Sequence, residues 1–174
     1  MTTLFDGDIA DSDAMDAFGE HLAASLRAGD LVILTGPLGA GKTTLTRGIG
    51  RGLGVRGQVA SPTFVLARTH PSLTAGGAPL VHVDAYRLGS AAELDDLDLD
   101  YASSVVVVEW GSGLLDGVAE SWLEVTIARP TGDTDDDAGA QEPRDTLDEP
   151  RHVRIDGFGP RWEGVSLQPA PPTI

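Results

Sequence analysis

The sequence predicts an α/β fold in which a mostly parallel central sheet is flanked by helices, and three observations predict it. Uninterrupted aliphatic runs at 31–34 and 105–108 lack polar alternation, as in strands covered on both faces. Between 11 and 27 the apolar residues recur at three- and four-residue steps, the spacing of an amphipathic helix. A glycine-rich turn and a Lys-Thr pair then join the first aliphatic run to a second helical stretch, the connection expected of strand–helix units.

In chain order, residues 2–6 suit a short strand. Met15, Phe18, Leu22 and Leu26 share the helical face of 11–27, with Asp11, Ser12 and Asp13 available as caps. Leu31–Thr35 reads as a buried strand stopped by Gly36-Pro37, and 36–41 as a loop. A helix follows from 42 to about 51 with Gly54 as its stop, although Gly48 and Gly50 each weaken it by up to ~1 kcal/mol relative to Ala. Pro62 pushes Ser61 out of the helical region, and the alternation of Phe64, Leu66 and Arg68 with their neighbours predicts an extended segment over 59–68. Two Pro and two Gly make 70–79 a loop. Strands are predicted at Leu80–Asp84 and Val105–Glu109, a short acidic helix over 91–99 between them, and a late strand pair at 121–128 and 152–156. The chain is expected to be a single domain over 1–168, interrupted by a disordered acidic insertion at 131–149 and followed by a loose Pro-rich tail at 169–174.

Composition excludes several function classes. The 174 residues carry a formal net charge of −15, and residues 131–149 with 93–100 hold −12 of it. The remainder is close to neutral, so no basic face for direct nucleic-acid binding is evident. There is no Cys, which removes disulfides, thiolate metal sites and cysteine nucleophiles together; His21, His70, His82 and His152 form no pair at ligand spacing. No apolar run approaches the ~20 residues of a membrane helix. The first twenty residues hold six carboxylates and no Lys or Arg, the opposite of a secretory leader. A cytoplasmic protein with no membrane partner is expected.

Of twelve cations, eleven are Arg and one is Lys. That residue, Lys42, closes Gly36-Pro-Leu38-Gly39-Ala40-Gly41-Lys42-Thr43, a match to G-x-x-x-x-G-K-[ST] between a strand and a helix. Such a loop converges backbone N–H groups on phosphate oxygens; the Lys adds a point charge at the β/γ-phosphates, the Thr hydroxyl meets Mg2+, and the helix dipole faces the anion. The bland alternative is a glycine turn with a solvated Lys, yet a chain this biased toward Arg places its single Lys here. The fold expectation sharpens to a P-loop NTPase-like one. Asp84 and Glu109 end aliphatic strands, and either could bind the metal through water or position an attacking water; capping a strand end is their structural alternative. Thr63, on the extended segment, is a candidate sensor of the γ-phosphate, with Ser61 nearby as a turn former. Trp110 reads either as core or as a lid, with core favoured. His82, between Val81 and Val83, reads as a packed, hydrogen-bonded histidine.

Taken together, Gly36-Pro-Leu-Gly-Ala-Gly-Lys-Thr-Thr44, Ser61-Pro-Thr-Phe64, His82-Val-Asp-Ala-Tyr-Arg-Leu88 and Val108-Glu-Trp110 resemble the TsaE family of P-loop ATPases in tRNA threonylcarbamoyladenosine biosynthesis. The resemblance covers about 5–129 and resumes near Arg151. It implies ATP as substrate, Mg2+ as cofactor and the TsaB–TsaD complex as partner. It further implies that Gly36, Leu38, Gly39, Ala40, Gly41, Lys42, Thr43, Thr44 and Arg151 bind ATP, that Thr43, Glu109 and Asp84 serve the metal, that Lys42, Asp84 and Glu109 are catalytic, and that Trp110 flanks the site. The sequence departs from the family after Phe64, where Val-Leu-Ala-Arg-Thr-His replaces an acidic and an aromatic residue, and in the length of the acidic insertion.

Two other readings compete. A small-molecule P-loop kinase would want an Arg-rich lid, whereas no cation lies between Arg87 and Arg129. An ATP-gated assembly switch with little catalysis shares every motif above. A GTPase would need a second Lys in an N-K-x-D segment, which this sequence does not have.

Overall fold

The computed structural model describes residues 1–62, 65–115, 117–129 and 149–167. The acidic insertion, Glu149 excepted, and the 169–174 tail lie outside them, as does Thr63. Among the described residues seven strands form one sheet: β1 (Thr2–Ile9), β2 (Leu31–Thr35), β3 (Ala67–His70), β4 (Leu80–Asp84), β5 (Val105–Glu109), β6 (Trp122–Ala128) and β7 (Arg151–Phe158). Their spatial order is β1-β7-β6-β2-β5-β4-β3. The four central strands β6, β2, β5 and β4 run parallel; β3 at one edge and β7 and β1 at the other add antiparallel.

The helices explain the aliphatic strands. Helix α1 (Ser12–Ala23) and helix α2 (Lys42–Leu53) cover one face through Met15, Phe18, Leu22, Leu45 and Ile49, which pack on Val32, Leu34, Leu80, Val105 and Val107. The short helix α3 (Ala91–Asp95) and the loops around it cover the other face, where Leu94 and Leu115 meet Leu31, Ile33, Val81, Val83, Val106 and Val108. Both faces of β2 and β5 are therefore dry, so unbroken Val, Ile and Leu runs are what these positions require. On β6 and β7 the alternation of buried and more exposed positions returns.

Asp11 caps α1 by accepting from the Ala14 N–H at 2.8 Å, and the helix stops at Ala23. Leu26, expected within it, lies in the turns that follow and is still buried. Helix α2 runs past Gly48 and Gly50 and ends at Gly54, whose φ of 67° is a left-handed cap. The glycines cost helix propensity but permit contact: a Cβ on Gly48 would lie 2.0 Å from the Asp16 carbonyl oxygen, and one on Gly19 2.4 Å from that of Leu45. Backbone thus meets backbone where α1 crosses α2, and Arg47 and Arg51 clamp the crossing by pairing with Asp16.

Of the extended segment expected over 59–68, Thr63 and Phe64 lie outside the described residues, and the part at 65–66 is corrected. The Pro62 carbonyl accepts from both Val65 and Leu66 N–H, Leu66 takes a φ of 62°, and strand β3 begins only at Ala67. A turn closed by Pro62 overrides the local alternation. Past β7, a 3-10 turn at Pro160–Trp162 buries Trp162, and Arg161 reaches back to Asp30 and to the Ser25 carbonyl at 2.7 Å. No helix of the described residues is long and apolar enough to cross a membrane.

Candidate nucleotide site

The C-terminal ends of β2, β4 and β5 open at one end of the sheet. Past Thr35 the backbone runs tight against β6, since a Cβ at Gly36 would lie 2.5 Å from the Ile127 carbonyl oxygen, and Gly41 reaches the start of α2 with a φ of 109°. The loop between them wraps the strand end, and Lys42 turns back into it. Its ammonium donates to the carbonyls of Gly36 at 2.8 Å and Pro37 at 3.0 Å. It also lies 3.9 Å from the centre of the Trp110 ring. Burial pulls the Lys42 pKa below the usual lysine value, and the charges of Glu109 and Asp84 oppose that pull.

Strand register sets the two carboxylates side by side, because Asp84 on β4 is the direct partner of Glu109 on β5. Both are buried. They lie on the helix-α2 side, since they continue the alternation of Leu80 and of Val105 and Val107. Glu109 Oε1 accepts from the Thr43 hydroxyl at 3.0 Å and from His82 Nε2 at 2.8 Å. Asp84 Oδ1 accepts the Tyr86 N–H at 3.0 Å.

At the next residue the chain leaves the sheet: Trp110 has a φ of 63°, and its N–H bonds the Leu34 carbonyl at 3.0 Å. That left-handed residue lets the indole lie beside Lys42, with Tyr86 edge-on at 5.4 Å. The expectation that favoured Trp110 as core is corrected in this way: it is half-buried at the site.

A cleft of about 680 Å3 results. Leu38, Gly39, Gly41, Lys42, Thr43 and Thr44 line it from the loop and α2, and Ser61, Asp84, Tyr86, Arg87, Glu109 and Trp110 line it from the strand ends and the segment beside them. Of the nominated residues that are described, Gly36 meets the cleft only through its carbonyl on the Lys42 ammonium, while Ala40 and Arg151 stand apart from it. They line a recess of about 30 Å3 on the α1 flank of the same loop, with Asp11, Ser12, Met15, Gly39, Gly41, Thr44 and Glu149. The buried Arg151 guanidinium bonds the Glu149 and Pro150 carbonyls there, at 3.1 and 3.3 Å.

Sequence reading missed four contributors. Ser61, a turn former by residue type, lines the cleft itself. Tyr86 and Arg87 belong to the quoted His82–Leu88 block, which assigns them no role at the site. Arg129 supports the loop by donating to the Leu38 carbonyl at 3.3 Å, and its only signal is that β6 lies beside β2. His82 is packed and hydrogen-bonded as expected, and its partner is Glu109.

The oxygen donors Thr43 and Glu109, with Asp84 adjacent, could hold a hard divalent cation. Among the described residues no group of three or more His, Asp or Glu that could hold a metal ion is found. A buried ammonium, a glycine loop and a helix N-terminus on one cleft can together receive a phosphate chain.

The family model described as threonylcarbamoyl adenosine biosynthesis protein TsaE matches residues 9–136. The chain is 56% identical over 151 residues, 85% of its length and 93% of the relative's, to the tRNA threonylcarbamoyladenosine biosynthesis protein TsaE of Streptomyces coelicolor. Identity to the protein of that name from Bacillus subtilis is 37%, covering 67% of this chain and 73% of the relative. The crystal structure of Bacillus subtilis YdiB superposes with a TM-score of 0.67 at 26% identity, covering 94% of this chain and 92% of that one, and supports the P-loop NTPase-like α/β fold. With its sheet, its glycine-rich loop and a family match across most of its length, the chain belongs to the TsaE family.

Proposed function

We propose that this protein binds and hydrolyses ATP with Mg2+ in the 680 Å3 cleft, and that this activity supports a TsaB–TsaD complex in threonylcarbamoyladenosine modification of tRNA. The observation that carries the reading is the convergence of Lys42, Thr43 and Glu109 at the mouth of β2 and β5. Phosphate oxygens would take over the Lys42 ammonium from the Gly36 and Pro37 carbonyls, while the loop N–H groups and the start of α2 hold the anion. Thr43 and Glu109, with Asp84, would hold Mg2+, which supplies neutralisation of the phosphate charge and a template for in-line attack. Glu109 and Asp84 would also polarise the attacking water. Trp110 and Tyr86 wall the cleft, and the Trp110 ring keeps the Lys42 ammonium directed at it. Thr63 stays a proposed γ-phosphate sensor, two residues after the cleft-lining Ser61 in sequence.

The test is product formation by TsaB and TsaD supplied with this protein and either ATP or a non-hydrolysable analogue. Product with ATP alone supports hydrolysis as the contribution. Equal product with both supports the assembly-switch reading, and no dependence on this protein contradicts the proposal. Hydrolysis by the isolated chain should be slow and should rise with the partners. Direct tRNA binding should be undetectable at physiological salt, because the sequence supplies no cluster of cations to release counterions.

A further inference from the structure

We propose that His82 is the positioning residue for Glu109, holding its carboxylate in the orientation the cleft uses; this rests on the nucleotide-site reading above. His82 is fully buried on β4, in a position an aliphatic residue would fill at no desolvation cost. Its register partner is Val107, one alternation step behind Glu109, so the imidazole reaches the carboxylate from the interior of the sheet while Thr43 reaches it from the start of α2. An ionised carboxylate only accepts, so Nε2 carries the proton and donates to Oε1. Nδ1 is buried and meets no hydrogen-bonding partner among the described residues. The Glu109 bond is therefore the polar contact that orients the ring.

Both bonds to Glu109 fall on Oε1, which leaves Oε2 for water or for a metal-bound water. Without His82, Glu109 has a competing partner in the Lys42 ammonium, on which its charge already acts. Pairing there would draw the carboxylate away from Thr43 and the metal position, while an incoming phosphate still claims the ammonium. His82 anchors the carboxylate against that collapse.

The test uses the full chain and its His82→Leu, His82→Gln and Glu109→Gln variants, with the His82→Leu/Glu109→Gln double variant. His82→Leu should lose roughly 10–100-fold in single-turnover hydrolysis, the usual cost of losing a residue that orients a metal-site ligand. It should also need more Mg2+ for half-maximal rate, while affinity for a fluorescent ATP analogue without Mg2+ stays unchanged. His82→Gln, which keeps a donor of similar reach, should recover most of the rate. In the Glu109→Gln background His82→Leu should add nothing, since the two act as one unit. In the free protein, imidazole 15N shifts should report an Nε2–H tautomer. A wild-type rate in His82→Leu, additive losses in the double variant, or an Nδ1–H tautomer would each overturn the inference. Should His82→Leu fail to fold, His82→Asn replaces it: its shorter side chain cannot reach Glu109, and a rate equal to that of His82→Gln would overturn the inference. Wild-type protein that binds no ATP analogue overturns the nucleotide reading itself, and the tautomer measurement still judges the His82–Glu109 bond.

Discussion

The β1–β7 wing and the parallel centre of the sheet use similar residues in opposite settings. On the wing, His152 bonds Asp8 at 2.9 Å and Asp6 at 3.0 Å, and Arg154 bonds Asp156 at 2.8 Å, with most of these side chains open to water. At the centre, Lys42, His82, Asp84 and Glu109 are all buried. Wing charges are screened and individually replaceable. Central charges are held by partners on three elements, so removing one strands another. Charge on the wing decorates a strand pair, whereas at the strand ends it forms a site.

The sharpest way to break this contrast is to neutralise one carboxylate in each region. Glu109→Gln should keep nucleotide affinity and lose about 10²–10⁴-fold in hydrolysis, the range for a group acting on the reacting water. Asp84→Asn should lose less, and Asp156→Asn should lose nothing. Single-turnover assays decide, and equal rates in all three would show that the central and wing carboxylates do not differ in role. A smaller effect tests packing. Gly48→Ala places a Cβ 2.0 Å from the Asp16 carbonyl oxygen, so overpacking of about 1–3 kcal/mol should lower Tm by several degrees. An unchanged Tm would mean that α1 and α2 can part without cost.

The smallest effect belongs to the wing. Hydrogen bonding to Asp8, with the nearby Asp6, raises the His152 pKa above the usual histidine value. The folded state then binds the proton more tightly, so the contribution to stability is fully present below the unfolded pKa of about 6.5 and is lost as pH rises through the higher folded value. Exposure keeps it small. Melting wild type and His152→Gln across that window, at low and high salt, should show a slight gap at acid pH that closes at alkaline pH. A pH-independent gap would mean that packing, not charge, is what His152 supplies.

How legible each region was follows from how local its physics is. Strands β2, β4 and β5 could be bounded from sequence because aliphatic runs end at Gly36, Asp84 and Glu109. The turn at 36–41 and Lys42 at its end were legible because they are consecutive residues. Segment 59–68 was not, because the Pro62 carbonyl and the left-handed Leu66 interrupt an alternation that sequence alone would continue. Gly48 counted against helix α2 on propensity, yet it marks where α1 touches it, a contact between elements about thirty residues apart. Arg129 reaches Leu38 only through sheet order, and Trp110 faces the cleft only through its left-handed backbone. Both depend on geometry that residue types do not declare.

Whether the Lys42 cleft is the nucleotide site is decided by titrating a fluorescent ATP analogue into wild type, Lys42→Ala, Thr43→Ala and Arg154→Ala, with and without Mg2+. Lys42→Ala should lose binding under both conditions, Thr43→Ala should lose mainly the Mg2+-dependent part, and Arg154→Ala on the wing should bind as wild type does. Wild-type affinity in Lys42→Ala would contradict the assignment of this cleft to the nucleotide.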